Sequence, residues 1–166
     1  MMDFLVRLEQ TGFGTWVREA PTLWAYPTVL FLHTVGLGFL VGINVAIDLR
    51  LLGVARRLPL APFERLFPVM WAGFWINALS GVALILADAT TKLTNPVFYV
   101  KMLFVMLGVV NMGWLKRRLF RDPGSLDAWP ATRQARFVAV TSLVIWIGAT
   151  TAGRLMGYLG PKSGLD

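Results

Sequence analysis

The chain has one histidine, His33, and it stands inside an apolar stretch, WAYPTVLFLHTVGLGFLVGINVAIDLRLLG, residues 24–53. In hydrocarbon an ionisable side chain is expensive, so each one inside such a stretch is a functional hypothesis by default. An imidazole can ligate copper or haem iron, or carry a proton beside a quinone. A single histidine cannot give bis-histidine haem ligation. A haem here needs methionine as its second ligand or an open position. Met70, Met102, Met106, Met112 and Met156 are available, though methionine in a helical bundle ordinarily packs. The competing reading of His33 is a ring bonded to a neighbouring helix.

Four further residues join it as a candidate ligand-binding set: Asp88, Lys101, Arg154 and Tyr158. Each falls near the same end of an apolar segment as His33. Together they predict an outward-facing pocket of positive character, suited to an anionic or quinone-like head group. The plainer alternative is a pair of cations snorkelling to the interface beside an Asp88 ion pair. Asn44 lies near the His33 face, and Asn77 and Asn111 read as inter-helix hydrogen-bonding residues. Asn95 before Pro96 is a helix-start signal. Asp48 and Arg50, at the far end of the same stretch, read as a structural anchor. No HExxH, GxSxG, phosphate loop or paired-carboxylate motif is present, and no catalytic residue is assigned. Ser80 and Ser142 have no positioned partner for a triad with the single histidine.

These residues need elements to hold them, and composition decides which kind. Of 166 residues, 56% are hydrophobic and 15% charged, and mean hydropathy is +0.62. A soluble domain needs more polar surface than this, whereas a bilayer removes the need. Seven Trp and three Tyr suit the headgroup level. The absence of cysteine excludes disulfides, Cys-ligated zinc and iron–sulfur clusters. The net charge of +7 does not point to nucleic acid, because the basic residues cluster between apolar segments, where membrane orientation explains them.

The expected fold is all-α, a transmembrane four-helix bundle preceded by a short amphipathic interfacial segment over residues 1–22. The spans are expected at about 23–47, 66–87, 97–115 and 136–159, since about 20 residues cross the hydrocarbon. Residues 161–166 form a tail. The first span serves as an uncleaved signal, because Asp3 and Glu9 interrupt any h-region before it. Asp88–Pro96 reads as a loop, and 122–134 as a polar one. Gly73, Asn77 and Gly81 share one helix face, as do Ala149, Gly153 and Gly157, and small residues at that spacing let helices approach. Arg50, Arg56, Arg57, Arg65, Lys116, Arg117, Arg118, Arg121, Arg133 and Arg136 flank one side. Arg7, Arg18, Lys92, Lys101, Arg154 and Lys162 flank the other. The larger set marks the cytoplasm. Both termini are then outside, in the periplasm of a Gram-negative cell.

Three stretches carry a resemblance: YPTVLFLHTVGLGFLVGINVAIDLRLLG (26–53), WAGFWINALSGVALILADATTKLTNPVFYVKMLFVMLGVVN (71–111) and WIGATTAGRLMGYLG (146–160). Together they resemble the DUF6644 group, bacterial four-helix membrane proteins. The combination of His33, DLRLLG (48–53), Asn95-Pro96 with Lys101, Asn111 and AGRLMGY (152–158) carries it. The common pattern has Glu where Leu30 stands, and in some relatives His near Lys116. The resemblance implies a four-helix protein of the bacterial inner membrane and supplies no activity. A more distant likeness, in architecture alone, is to copper-resistance D and cytochrome b561-like proteins. The function expected is that of a non-catalytic subunit or accessory of a membrane assembly, or a homo-oligomer, in contact with the lipid bilayer. The alternative is a redox or transport protein that binds haem, quinone or copper through His33.

Overall fold

The structure, a computed structural model, describes residues 2–55, 57–119 and 133–159. Arg56, Arg121, most of the expected polar loop and the tail lie outside the described residues. Within them the chain is all-α. Two short helices, α1 (Met2–Glu9) and α2 (Gly12–Glu19), precede the long α3 (Tyr26–Leu52). A 3-10 turn, Ala61–Leu66, leads into α4 (Phe67–Ala87). Then come α5 (Ala89–Thr94), α6 (Pro96–Leu119) and α7 (Arg133–Leu155). Four helical segments are long and apolar enough to cross a membrane: Tyr26–Leu52, Ala61–Ala87, Pro96–Arg117 and Arg133–Leu155. Their outward faces carry large apolar side chains such as Leu79, Val110, Phe137 and Ile147. No aqueous surface would be built that way. The chain is a multi-pass membrane protein.

Helix ends follow the residues. Pro27 sits in the first turn of α3, where a missing amide costs nothing. The helix continues beyond residue 47 and stops at Gly53, whose φ of 104° is left-handed. That conformation lets the Gly53 and Val54 amides fold back onto the carbonyls of Leu49 and Arg50. Asn95 caps α6, its Oδ1 accepting from the Val97 amide at 2.9 Å. Its Nδ2 reaches the carbonyls of Met156 and Leu159 beyond α7.

The loop expected at Asp88–Pro96 is mostly helical. Residues 89–94 form α5, and the missing signal was its cap. Glu9 supplies it from α1, its Oε1 accepting from the Thr90 amide at 2.6 Å and the Thr90 hydroxyl at 2.7 Å. Arg18 of α2 adds a bond to the Ala87 carbonyl at 3.3 Å. The amphipathic N-terminal pair is therefore seated on the α4–α5 corner as well as being interfacial in composition. Gly14 makes the seat possible, since a Cβ there would lie 2.7 Å from the Leu86 carbonyl oxygen.

In the bundle α3 packs against α4 on one side and α7 on the other, and α6 packs on α7. The core lies between them. It is built from Leu40, Ile47 and Leu51 of α3, Phe67 and Met70 of α4, Met112 and Leu115 of α6, and Ala139, Trp146 and Ala149 of α7. At the end rich in arginine, the Lys116 ammonium sits 5.6 Å above the Phe67 ring and links α6 to α4.

Candidate functional site

The α3–α4 seam is set by glycine. A Cβ at Gly36 would fall 2.6 Å from the Asn77 nitrogen and 2.7 Å from the Gly73 oxygen. Only hydrogen fits between these two backbones. One turn along, this proximity places His33 against α4. The ring Nδ1 is 2.9 Å from the Asn77 carbonyl oxygen and 3.2 Å from Ser80 Oγ. In return, Asn77 Nδ2 donates to the His33 carbonyl at 2.7 Å. A carbonyl only accepts, so Nδ1 carries the hydrogen, and in the neutral ring Nε2 keeps its lone pair. Gly81 gives the ring its room, since a Cβ there would meet His33 Cε1 at 3.1 Å. The expected stripe Gly73, Asn77, Gly81 thus touches α3 at all three positions.

The other members of the candidate set are spread around that end. The Lys101 stem lies along Gly153 of α7. Asp88 meets Lys92 at 3.2 Å. Arg154 and Tyr158 point outward, Tyr158 with 64% of its surface free. Outside the spans, the Arg18 guanidinium is held above its ordinary value. The Glu19 bond contributes most, burial opposes it, and the charges of Glu9 and Asp88 add. Among the described residues no group of three or more His, Cys, Asp or Glu converges. A metal at His33 would have that ring as its sole nitrogen ligand.

A second polar cluster lies deeper, on the α3–α7 seam. Asn44, Asp48 and Ser142 each have 0% of their surface exposed. Asn44 Nδ2 donates to Asp48 Oδ2 at 2.9 Å and to Ser142 Oγ at 2.6 Å. Asn44 Oδ1 and Asp48 Oδ1 are buried without a protein partner. Arg50, read with Asp48 as one anchor, turns away and donates from Nε to the Leu58 carbonyl. Asn44, read as a neighbour of His33, belongs to this seam instead. Asn111 has a buried Nδ2 with no protein partner, where an inter-helix bond was expected.

Comparison with protein-family models, with curated proteins and with solved structures found no match. The site is therefore read from its own chemistry. Ser80 and Ser142 are the residues that sequence reasoning passed over. Both were weighed only as nucleophiles. The available signal was that a serine retained inside an apolar span usually has a polar partner on a neighbouring helix. Aromatic–glycine contacts were passed over too. Trp146 lies across Gly108, and Phe104 across Gly148, each with ring atoms 2.8 Å from the place a Cβ would take. These contacts, with Lys101 along Gly153, are among those that join α6 to α7. Gly157 of the expected stripe meets only the carbonyl of Arg154.

Proposed function

We propose that this chain is a non-catalytic subunit or accessory of a larger membrane assembly in the bacterial inner membrane. What supports this reading is the reciprocal pair between His33 and Asn77. The one side chain with obvious reactivity spends its Nδ1 on binding α3 to α4, and Asn77 returns the bond. Such a ring serves as a helix fastener, and its neighbours Gly36 and Gly73 are the closest approach of the same two helices. The resemblance to the DUF6644 group forms part of the same proposal and adds no activity to it.

A second reading is favoured by the same contact. A ligating histidine usually donates its other ring nitrogen to a carbonyl, which fixes the tautomer and aims the lone pair. His33 has that arrangement, with Nε2 as the ligating atom for haem or copper or as a partner of a quinone. The two readings separate in one preparation. The purified protein is expected to be colourless and free of stoichiometric copper. His33→Ala is expected to lower its stability by about 0.5–1.5 kcal/mol, the net worth of the lost Nδ1 bond, since Asn77 keeps its bond to the residue-33 carbonyl, while the same membrane partners co-purify. A Soret band, or copper lost in His33→Ala, would establish the second reading.

Orientation belongs to this proposal as well. The distribution of basic residues supports an arrangement with both termini outside. A cysteine introduced at Thr94 is expected to react with an impermeant maleimide from outside in intact cells. One at Ala128, which lies outside the described residues, is expected to react only after permeabilisation. Labelling in the opposite order would invert the topology.

A further inference from the structure

The Asn44–Asp48–Ser142 cluster plays no part in the reading above, yet its chemistry is the most specific in the molecule. Both hydrogens of Asn44 Nδ2 are committed, one to Asp48 Oδ2 and one to Ser142 Oγ. What the cluster has left to offer is oxygen: Asn44 Oδ1 and Asp48 Oδ1, both buried and both without a protein partner, and a remaining lone pair on Ser142. Its formal charge is a single negative one. Among the described residues no ion pair includes Asp48.

The surrounding cations are otherwise placed. On α3, Arg50 is bonded to the Leu58 carbonyl. On α7, Arg133 and Arg136 stand more than a turn before Ser142. On α6, Lys116 lies over Phe67 and Arg117 is exposed, while Lys101 is at the opposite end. α4 has no titratable side chain. A buried carboxylate without a cation is strongly disfavoured, and something must neutralise it.

We propose that Asn44, Asp48 and Ser142 form a buried binding site for a monovalent cation, either a sodium ion or the proton that competes for the same carboxyl. An all-oxygen donor set matches a hard cation and repels anions. One carboxylate matches a single charge, whereas calcium or magnesium calls for more oxygens and more negative charge. The site joins α3 to α7, so its occupancy sets how firmly those helices are held.

The test is thermal unfolding of the purified full chain in a neutral detergent at constant ionic strength, with sodium chloride exchanged for choline chloride. A ligand that binds only the folded state raises the midpoint in a saturable way. At about pH 8, sodium is expected to raise the midpoint of the wild type and not of Asp48→Asn, and acidification is expected to suppress the sodium effect. If the proton alone is the ligand, sodium has no effect, acidification raises the wild-type midpoint, and Asp48→Asn abolishes that rise. Either pattern supports the site and says which cation fills it. Equal responses in wild type and Asp48→Asn, or a wild type indifferent to both cations, overturn it. Should Asp48→Asn fail to fold, Ser142→Ala retains the carboxyl and removes one oxygen. Its apparent affinity for sodium is expected to fall about tenfold, as for loss of one supporting ligand. An unchanged affinity overturns the site. The infrared band of a protonated carboxylic acid gives an independent readout. Because eight other side-chain carboxyls contribute equally to both proteins, it is read as the difference between wild type and Asp48→Asn in choline buffer on acidification, where one carboxylic-acid band is expected. A difference spectrum without that band overturns the assignment.

Discussion

Gly36→Leu is expected to abolish the folded bundle, while Gly38→Leu and Gly42→Leu leave it intact. The three glycines lie within seven residues of one another on α3, and their surroundings differ completely. A Cβ at Gly36 would stand 2.6 Å from the Asn77 nitrogen and 2.7 Å from the Gly73 oxygen, whereas at Gly38 and Gly42 nothing lies within 4 Å. The obstacles at Gly36 are backbone atoms, so no rotamer change relieves the clash. Relief requires α3 and α4 to separate, and separation breaks the His33–Asn77 pair one turn away. Overpacking alone costs roughly 1–3 kcal/mol, and the broken buried bonds add about 1–3 kcal/mol more. That sum is comparable to the whole stability of many domains. Gel filtration in detergent and thermal unfolding would show it. A Gly36→Leu protein that is monodisperse with an unchanged midpoint would sink this account of the seam.

Trp146→Ala has the second largest expected effect. Trp146 is 1% exposed, and its ring edge lies against the bare backbone of Gly108. Truncating a buried tryptophan costs about 3–5 kcal/mol, with the cavity term included. In a bilayer the loss is mainly one of packing, because lipid is as apolar as the core. The indole Nε1 has no protein partner, so no hydrogen bond is forfeited. Trp75→Ala is the control, since that ring is 58% exposed on the outward face of α4, and its loss is expected within about 0.5 kcal/mol of zero. Equal destabilisation by the two substitutions would mean that the α6–α7 seam does not depend on the ring.

How much of this was legible in the sequence depends on how local each feature is. The four spans are local: length and apolarity make them, and each was placed within a few residues of its observed ends. The cap at Asn95 is local too, since the amide it serves is two residues on. α5 was not legible. Six residues rich in threonine carry little helical preference, and the carboxylate that caps them comes from Glu9, 81 residues earlier. The α4 stripe at Gly73, Asn77 and Gly81 could be read because its neighbour brings backbone and a ring to the same face. Around Ala149, Gly153 and Gly157, spacing alone could not say that two glycines elsewhere, Gly108 and Gly148, receive aromatic rings. The Asn44–Ser142 bond spans 98 residues. Asn44 and Asp48 are four apart and plainly share a face, but nothing local names a serine on the last helix as their partner.

The bond between Glu9 and Thr90 has a consequence for biosynthesis. Those residues are 81 apart in the chain. At roughly 5–20 residues per second of synthesis, about 4–16 s pass between the appearance of the carboxylate and that of the amide it will cap. During that interval α1 and α2 exist without their seat, and two long helices are made before it is complete. The N-terminal pair therefore docks late, after the second span has been delivered. Closure of this corner marks the point at which the first half of the protein has been correctly inserted.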